Sequence, residues 1–402
     1  GLWTVTTDAA VTPWQIGDAS GNPVEATGDE CVELFRSVKA ENGRVEIALT
    51  DGGTLSAAQI NDLSAAGTAN CYVVSAPGSY VFNARVRGNG AGEGVGFEPA
   101  IELADDMTAD WLWTDSEGLV SGIALDKVSG DISFTVGEGK GNALVALMQD
   151  GRVVWSWHIW VTDAPQTMAY GNGTVFMDRN LGAVGATAGG TDAYGMYYQW
   201  GRKDPFYGGE KTETSANAFL EAKNGTAVNP AYPALGWNFS KSATTTDGAA
   251  ANPMTFYNNK VGNGYNWLAS PNATLWGETK TLNDPCPPGY RVPETGAWED
   301  LIAGRQYIDG VSVWDGTNCG MTYAHGGRTA WYPAQGYRNY SSGAIVGLRS
   351  STGGSGAYWS VEASSAKSYY LFFRSKLSSS GSINNELDKE RSYGYTVRCC
   401  KE

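Results

Sequence analysis

The sequence predicts a mainly β protein with a few short helices, in which an N-terminal, immunoglobulin-like β-sandwich region precedes a loop-rich α+β region. Glycine, tryptophan and tyrosine are abundant, with 53, 15 and 21 residues in a chain of 402. This composition is typical of aromatic-rich strands joined by many turns. Short runs of β-branched and aromatic residues alternate with glycine or Pro-Gly turns. Long amphipathic helical patterns are scarce.

The chain is longer than one hydrophobic core usually serves, which favours two or three domains. A strand-like run ends at Thr162 and is followed by Pro165, which has no N–H to donate to a strand ladder. We therefore place a boundary there, giving residues 1–164 as the β-sandwich region and 165–402 as the second domain. A weaker boundary lies near Gly67, at about residue 66.

Individual elements follow from local patterns. The hairpin prediction is the clearest, because Asp150-Gly151 joins two strand-like runs and suits the positive φ angles of a tight turn. In its return strand, residues 155, 157, 159 and 161 share one apolar face, which we interpret as core packing. The other predicted strands are residues 71–75, 80–87, 131–136 and 143–149. The predicted helices are residues 55–66, 216–223 and 295–304.

Charge limits the classes of partner. The chain has 28 Lys and Arg against 42 Asp and Glu, and its net charge is −14. Such a chain repels phosphate backbones and anionic lipids, so nucleic acid is not an expected partner. No run of about 18 apolar residues occurs, so no transmembrane segment is predicted. An export signal is expected to have been removed ahead of Gly1.

Sequence motifs for catalysis are absent. The two histidines, His158 and His325, fall in different predicted domains, and the chain has no GxSxG, HExxH or phosphate-binding glycine loop. We therefore expect no enzyme, no metal site and no cofactor. A carbohydrate-active hydrolase stays open as a minor alternative, because a pair of carboxylates that meet only in space leaves no sequence signature.

The six cysteines favour disulfides over a zinc site, because they form no CxxC pair and no histidine lies near them. Cys31 and Cys71 lie in the first region, with buried free thiols as the alternative for both. The other four, which lie in the second region, are Cys286, Cys319, Cys399 and Cys400.

Three sequence blocks of the second region carry a family resemblance. The first is residues 175–183 (VFMDRNLGA) with 194–206 (YGMYYQWGRKDPF), the second is 284–293 (DPCPPGYRVP), and the third runs from 358–360 (YWS) to 394–399 (GYTVRC). Together they resemble the paralogous surface domain abundant in Fibrobacter and Bacteroidales, which looks like a divergent C-type-lectin fold. Proteins of this architecture are similar to tip subunits of fimbrillin-type pili and to other surface adhesins.

The resemblance implies a C-type-lectin-like fold for residues 165–402. It also implies a terminal disulfide from Cys286 to either Cys399 or Cys400, with the remaining cysteine of that pair able to reach Cys319. The charged triplets 178–180 and 202–204 we interpret as fixing loops. The tripeptides of calcium-dependent sugar sites do not occur in the second region, which puts a calcium-mediated site in doubt. Formylglycine-generating enzymes share this fold, but adjacent cysteines at 399 and 400 depart from their pattern.

Aromatic residues in the loop-rich stretches are the candidate ligand contacts, since sugar sites stack pyranose rings on exposed aromatic faces. The alternative is that they fill small cores beneath the loops. The candidates are Trp276, Trp314, Trp331, Tyr332 and Tyr337.

These observations lead to one functional expectation. The chain is predicted to be an extracellular cell-surface adhesin, a pilus tip or related subunit, whose partners are other pilus subunits or a surface glycan or protein. A stand-alone glycan-binding surface protein is the alternative, followed by the hydrolase.

Overall fold

The computed structural model of the chain describes residues 2–4, 15–17, 23–25, 35–41, 44–49, 54–90, 99–208, 227–261, 264–303, 314–348, 354–365, 367–374 and 383–402. Within these residues the protein is mainly β with few helices, as the sequence predicts.

The strands of the first region, in chain order, are β1 (Leu2–Thr4), β2 (Gln15–Gly17), β3 (Pro23–Glu25), β4 (Phe35–Glu41), β5 (Arg44–Leu49), β6 (Thr54–Asp62), β7 (Cys71–Val74), β8 (Gly78–Asn83), β9 (Met107–Thr114), β10 (Val120–Leu125), β11 (Asp131–Val136), β12 (Gly141–Gln149) and β13 (Arg152–Val161). The strands after residue 165 are β14 (Thr167–Ala169), β15 (Val175–Met177), β16 (Tyr197–Gln199), β17 (Ala227–Val228), β18 (Asn238–Ser240), β19 (Thr255–Tyr257), β20 (Asn259–Val261), β21 (Gly264–Asn266), β22 (Tyr290–Arg291), β23 (Trp314–Asp315), β24 (Gly320–His325), β25 (Arg328–Pro333), β26 (Tyr337–Arg338), β27 (Ile345–Val346), β28 (Ser355–Ser364), β29 (Lys367–Arg374), β30 (Ile383–Glu390), β31 (Gly394–Thr396) and β32 (Cys400–Lys401).

Helices are short in the described part of the chain. They are α1 (Thr246–Ala251), α2 (Glu299–Ala303) and the 3-10 turns Thr191–Ala193, Pro233–Leu235 and Thr295–Trp298. The predicted helix over 295–304 is confirmed, because a 3-10 turn leads directly into α2. The predicted helix over 55–66 is wrong, because most of this segment belongs to β6. The predicted helix over 216–223 lies outside the described residues. No helix among the described residues is long and apolar enough to cross a membrane.

Two sheets form the sandwich of the first region. One has the order β10-β11-β8-β6-β5-β4, with β1 also paired to β6, and the other has the order β17-β9-β12-β13-β7. Side chains from both sheets meet in one core, where the Phe82 and Trp157 rings lie 5.0 Å apart and Phe134 packs nearby. Burying such rings, at about 25 cal/mol per Å² of apolar surface, is the main force that holds the two sheets together.

The predicted hairpin is confirmed as β12 and β13. Its turn residues Asp150 and Gly151 have φ angles of 50° and 71°, in the left-handed region that this kind of turn requires. The predicted apolar face of β13 belongs to the sandwich core. The opposite face carries Ser156 and His158, which are also buried, because residues of the second region cover them.

Three further sheets organise the described residues after 165, together with two two-stranded pairs. The largest has the order β27-β26-β31-β28-β29-β30, with β16 also paired to β31. The others have the orders β14-β15-β32-β22, β23-β24-β25, β18-β19 and β20-β21. Long connections between them make this part rich in loops, as predicted.

The two predicted regions share one core across the boundary at 164/165. Strand β17 extends the sheet of the first region, pairing Ala227 with Thr114 of β9. A single cluster of buried side chains includes Trp113 and Leu144 from the first region and Trp200 and Trp359 from the second. The described parts of both regions are therefore packed against each other as an interior.

Candidate functional site

The first sequence block is centred on a buried asparagine. Asn180 donates to Gln335 Oε1 (2.7 Å) and to the Tyr358 hydroxyl (3.3 Å). Its Oδ1 accepts from Nε (3.0 Å) and Nη2 (2.8 Å) of Arg398, a residue of the third block. Arg398 is fully buried, with its guanidinium 3.8 Å from the centroid of the Tyr332 ring. The first and third blocks thus meet in one polar network inside the domain.

Residues 202–204 are equally buried and join the two regions. Lys203 Nζ contacts Asp204 Oδ1 and the hydroxyl of Ser156 on β13, each at 2.6 Å. The Ser156 hydroxyl also donates to Asp204 Oδ1 (2.6 Å). Arg202 donates to the carbonyl oxygen of Thr255 (2.7 Å). In the other charged triplet, 178–180, Arg179 pairs with Asp178. The charges of both triplets therefore hold loops in place, as we interpreted them from the sequence.

The second block is held by Asp284 and by the disulfide. The carboxylate of Asp284 accepts from the backbone N–H groups of Cys286 (2.8 Å) and Val292 (3.0 Å). Lys280 donates to the carbonyl oxygen of Cys286 (2.7 Å). The Cys286–Cys399 bridge confirms one of the two predicted pairings and ties this block to the third.

The second predicted bridge does not form. Cys319 and Cys400 keep their thiols, which donate to the carbonyl oxygens of Gly316 and Arg291 respectively. Cys400 faces a different hydrophobic cluster from Cys399, because successive residues of an extended chain point to opposite sides. Cys71 is a buried thiol, the alternative left open from the sequence, and Cys31 lies outside the described residues.

The buried Ser156, Lys203 and Asp204 have the groups of a serine–lysine catalytic pair. Their exposed fractions are only 1%, 3% and 2%. The cavity next to Lys203 has room for about one water molecule. A substrate therefore has no space to reach the Ser156 hydroxyl, and these groups instead connect the two regions.

The two histidines lie in different surroundings, and only His158 is buried. His158 is buried, with Nε2 donating to Asn142 Oδ1 (2.8 Å) and Nδ1 accepting from the Tyr198 hydroxyl (3.4 Å). This tautomer follows because Asn142 uses its Nδ2 to donate to Asp115 and Gly182. Burial lowers the pKa of His158 to about 3. Among the residues described, no group of three or more His, Cys, Asp and Glu side chains could hold a metal ion.

Three of the five candidate ligand aromatics are interior residues. Trp276, Trp331 and Tyr332 are 1%, 7% and 0% exposed, so their ring faces pack against protein. Their burial agrees with the alternative that such aromatics fill cores beneath loops. Trp314 is half-buried, and its ring centroid lies 6.3 Å from that of Phe373, with the two planes inclined by 63°.

Tyr337, like Trp314, is half-buried, and it lies within a group of tyrosines. Tyr265, Tyr337, Tyr340 and Tyr393 are all half-buried, and we call them the tyrosine face. Ring centroids lie 4.6 Å apart for Tyr265 and Tyr340, 4.9 Å for Tyr340 and Tyr393, and 5.8 Å for Tyr337 and Tyr393. The four rings therefore form one connected cluster of partly exposed aromatic rings.

Local structure explains why these rings converge. The register that pairs Arg338 with Gly394 places Tyr337 next to Tyr395, whose buried ring supports the face from below at 5.5 Å. Asn339 accepts hydrogen bonds from the N–H (2.8 Å) and hydroxyl (2.7 Å) of Ser341, which fixes the turn that carries Tyr340. The hairpin of β20 and β21 brings in Tyr265.

Polar groups border the tyrosine face. Lys260, which is exposed, pairs with Tyr265 across the hairpin, and Glu390 acts electrostatically on Tyr393. Burial raises the pKa of Tyr337 and of Tyr393. Both phenols are therefore neutral at physiological pH and can donate a hydrogen bond as well as offer a ring.

Three members of this face, Tyr265, Tyr340 and Tyr393, were not singled out from the sequence. A local signal exists, because each tyrosine of the face has at least one glycine, asparagine or serine as a direct neighbour, in Gly-Tyr-Asn, Gly-Tyr-Arg, Asn-Tyr-Ser and Ser-Tyr-Gly. Aromatic residues at or next to turns lie at the surface more often than those in the middle of a strand.

Comparison with known proteins adds no relative to this picture. Neither the protein-family models, nor the curated proteins, nor the solved structures contain a match to this chain, so the family expectation continues to depend on the three sequence blocks.

Proposed function

We propose that this protein is a cell-surface adhesin, a pilus tip or related subunit, that binds a glycan through the tyrosine face. The observation that carries the binding part is the cluster of four half-buried tyrosine rings, each with its centroid within 6 Å of a neighbouring ring. Rigid aromatic rings offer large contact area at low entropic cost and stack against the apolar faces of sugars. Lys260 and Glu390 supply polar groups at its border.

Two further observations support an adhesin outside the cell. The three sequence blocks resemble those of surface domains, and their polar residues are buried as structural supports rather than arranged around a substrate. The Cys286–Cys399 bridge suits an oxidising, extracytoplasmic compartment. Partners in this proposal are a surface glycan at the tyrosine face and other pilus subunits elsewhere on the chain.

Glycan binding is tested with the full chain on a glycan array, followed by titration of the best ligand. Tyr340→Ala, which removes the ring between Tyr265 and Tyr393, should weaken binding about tenfold or more, the equivalent of about 1.4 kcal/mol. Tyr369→Ala is the matched control. Tyr369 is half-buried on the same sheet, but it points to the opposite side of β29 from its neighbour Tyr370, whose ring packs at 4.8 Å against Tyr395 beneath the tyrosine face. Equal loss in both variants, or binding untouched by Tyr340→Ala, would remove the tyrosine face from the proposal.

The pilus part of the proposal needs a separate experiment. Immunogold labelling of bacteria that express the chain should place the antibody at filament ends. Even labelling over the cell surface, with glycan binding retained, would favour the stand-alone glycan-binding protein.

A further inference from the structure

Cys286 has more than one possible partner in its surroundings. The disulfide joins it to Cys399. The thiol of Cys400, the next residue, lies 3.7 Å from the carbonyl oxygen of Arg291, which belongs to the same sequence block as Cys286. Cys400 is therefore a second thiol at the edge of this block, and it stays reduced in the folded protein.

Cys71 is a third thiol next to the block, although it belongs to the first region. It shares one buried hydrophobic cluster with Cys286 and Cys399. Asn70, its direct neighbour, donates to the carbonyl oxygen of Asp284, two residues before Cys286 (2.9 Å). Cys71 also stays reduced. The fold therefore discriminates among three thiols when Cys286 is oxidised.

Lys280 is buried inside the second block and holds the chain that follows Cys286. Its Nζ donates to the carbonyl oxygens of Cys286 (2.7 Å) and Pro287 (2.9 Å), and to that of Tyr290. An ammonium group has three donors and no acceptor, so all three donors of Lys280 are used. The segment from 286 to 290 is thus folded around a single charged nitrogen.

Asp284 holds the same segment from the other side. One of its carboxylate oxygens, Oδ1, lies 3.7 Å from Lys280 Nζ and accepts from the backbone N–H of Cys286 (2.8 Å), while Oδ2 accepts from the N–H of Val292 (3.0 Å). Lys280 and Asp284 are 6% and 0% exposed. The N–H of Cys286 is therefore bound by the carboxylate and its carbonyl oxygen by the ammonium group. Hydrogen bonds to charged groups are the stronger kind, so the backbone of Cys286 is fixed at both ends.

We propose that Lys280 and Asp284 are positioning residues that select Cys399 as the partner of Cys286. A disulfide requires Cα atoms about 4.4 to 6.8 Å apart and Cβ atoms that point towards each other. Cys286 and Cys399 meet the distance condition at 6.0 Å. A rotation of the segment that Lys280 and Asp284 hold would turn the Cys286 side chain away from Cys399. This inference does not depend on the proposed function.

The selection acts on thiol–disulfide exchange. Two protein thiols and one oxidised glutathione give one protein disulfide and two reduced glutathione molecules, which take up the two electrons and the two thiol protons. In the first exchange Cys286 forms a mixed disulfide with glutathione. In the second exchange a protein thiolate attacks the Cys286 sulfur and releases reduced glutathione. The orientation of Cys286 decides which of the three thiolates reaches its sulfur.

The test refolds the full chain from its reduced, unfolded state in a buffer of reduced and oxidised glutathione. Alkylation traps the remaining thiols, and tandem mass spectrometry assigns each bond, including the choice between Cys399 and Cys400. The wild type should give Cys286–Cys399 as the main product. Lys280→Met keeps the apolar stem but removes the three donors, so the ratio of this bond to the other bonds of Cys286 should fall about tenfold or more.

Lys203→Met is the matched control, because Lys203 is equally buried but contacts Ser156 and Asp204. It should lower stability and leave the pairing ratio unchanged. Asp284→Asn, a milder change, should shift the ratio in the same direction as Lys280→Met and gives a second reading if that variant does not fold. An unchanged ratio in Lys280→Met or in Asp284→Asn would overturn the proposal. So would an equal shift in Lys203→Met, since lost stability rather than lost positioning would then explain the mispairing.

Discussion

Buried polar side chains of the sequence blocks lie among the apolar residues that fill the inside of the second region. Asn180 uses both ends of its amide, donating to Gln335 and accepting from Arg398. An interior hydrogen bond is valuable chiefly because the unsatisfied group would cost about 1 to 3 kcal/mol. Residues that look catalytic in a sequence, such as arginine, lysine and aspartate in a short block, can therefore be needed to satisfy the backbone of long loops.

His158 gives a prediction for pH dependence. Its pKa is lowered from 6.5 to about 3 by burial, so the folded protein keeps the ring neutral while the unfolded chain takes up a proton below about pH 6.5. Stability that is fully present above pH 6.5 is therefore lost as the pH falls towards 3, at about 1.4 kcal/mol per pH unit from this residue. Urea unfolding of the wild type between pH 6 and pH 4 measures this slope.

The control for this effect is His158→Gln, which offers Asn142 an N–H donor in place of Nε2 but does not titrate. As the pH falls, the unfolding free energy of the wild type should decrease relative to that of the variant by about 1.4 kcal/mol per pH unit. A difference that stays constant from pH 6 to pH 4 would mean that His158 is already protonated in the folded state.

For single residues, the sequence identifies the aromatic residues of the loop-rich stretches but does not show which of them reach the surface. Trp331 and Tyr337 looked equivalent as loop aromatics, yet one is 7% exposed and the other belongs to the tyrosine face. The distinction depends on how β26 pairs with β31, and that pairing joins segments separated by more than 50 residues. Local patterns carry no information about such a register.

Elements with a local cause were predicted well, and elements decided by distant neighbours were not. The β12–β13 hairpin follows from its Asp-Gly turn. Residues 55–66 instead contain several alanines and favour a helix by intrinsic propensity. In the structure β6 is a central strand, paired with β5 and β8, so sheet pairing outweighs the small helical preference. Strand β17 could not be foreseen, because its partner lies in the other region.

The terminal disulfide connects secondary-structure elements that are distant in sequence, because it joins the second block to the last strands over 113 residues. Closing a loop of this length in the unfolded chain accounts for about 4 to 5 kcal/mol of stability in the entropic model. Cys286→Ala combined with Cys399→Ala should lower the unfolding free energy by that amount in denaturant titrations. Cys400→Ala, which removes the neighbouring buried thiol, should cost only about 1 kcal/mol, mainly from the small cavity. Equal losses in the two variants would show that packing, not the bridge, is responsible.

At the scale of the whole molecule, the boundary at residue 164 separates two sequence textures that pack as one interior. Trp160 of β13 donates from Nε1 to the carbonyl oxygen of Ala183 (2.9 Å), and Asn70 donates to the carbonyl oxygens of Leu282 and Asp284 (2.7 and 2.9 Å). Contacts of this kind are buried and satisfied on both sides. The tyrosine face is therefore connected to the sandwich through packed structure rather than through a flexible linker.

The Lys203, Asp204 and Ser156 contact makes this connection testable. Lys203→Met should destabilise the protein by about 3 to 5 kcal/mol, because it leaves the Asp204 carboxylate buried without its cation. Adding Asp204→Leu removes the stranded charge, so the double variant should recover part of the loss.

Because Ser156 lies in the first region and Lys203 in the second, the two regions should lose stability together. Hydrogen exchange should show faster opening of β12 and β13 as well as of β16 in Lys203→Met, and calorimetry should show one shifted transition. The exposed pair Lys140 and Asp163 is the control, since Lys140→Met should change stability by less than about 1 kcal/mol. Faster exchange confined to residues after 165 would mean that the sandwich folds independently of the second region, and the chain would then consist of two separable bodies.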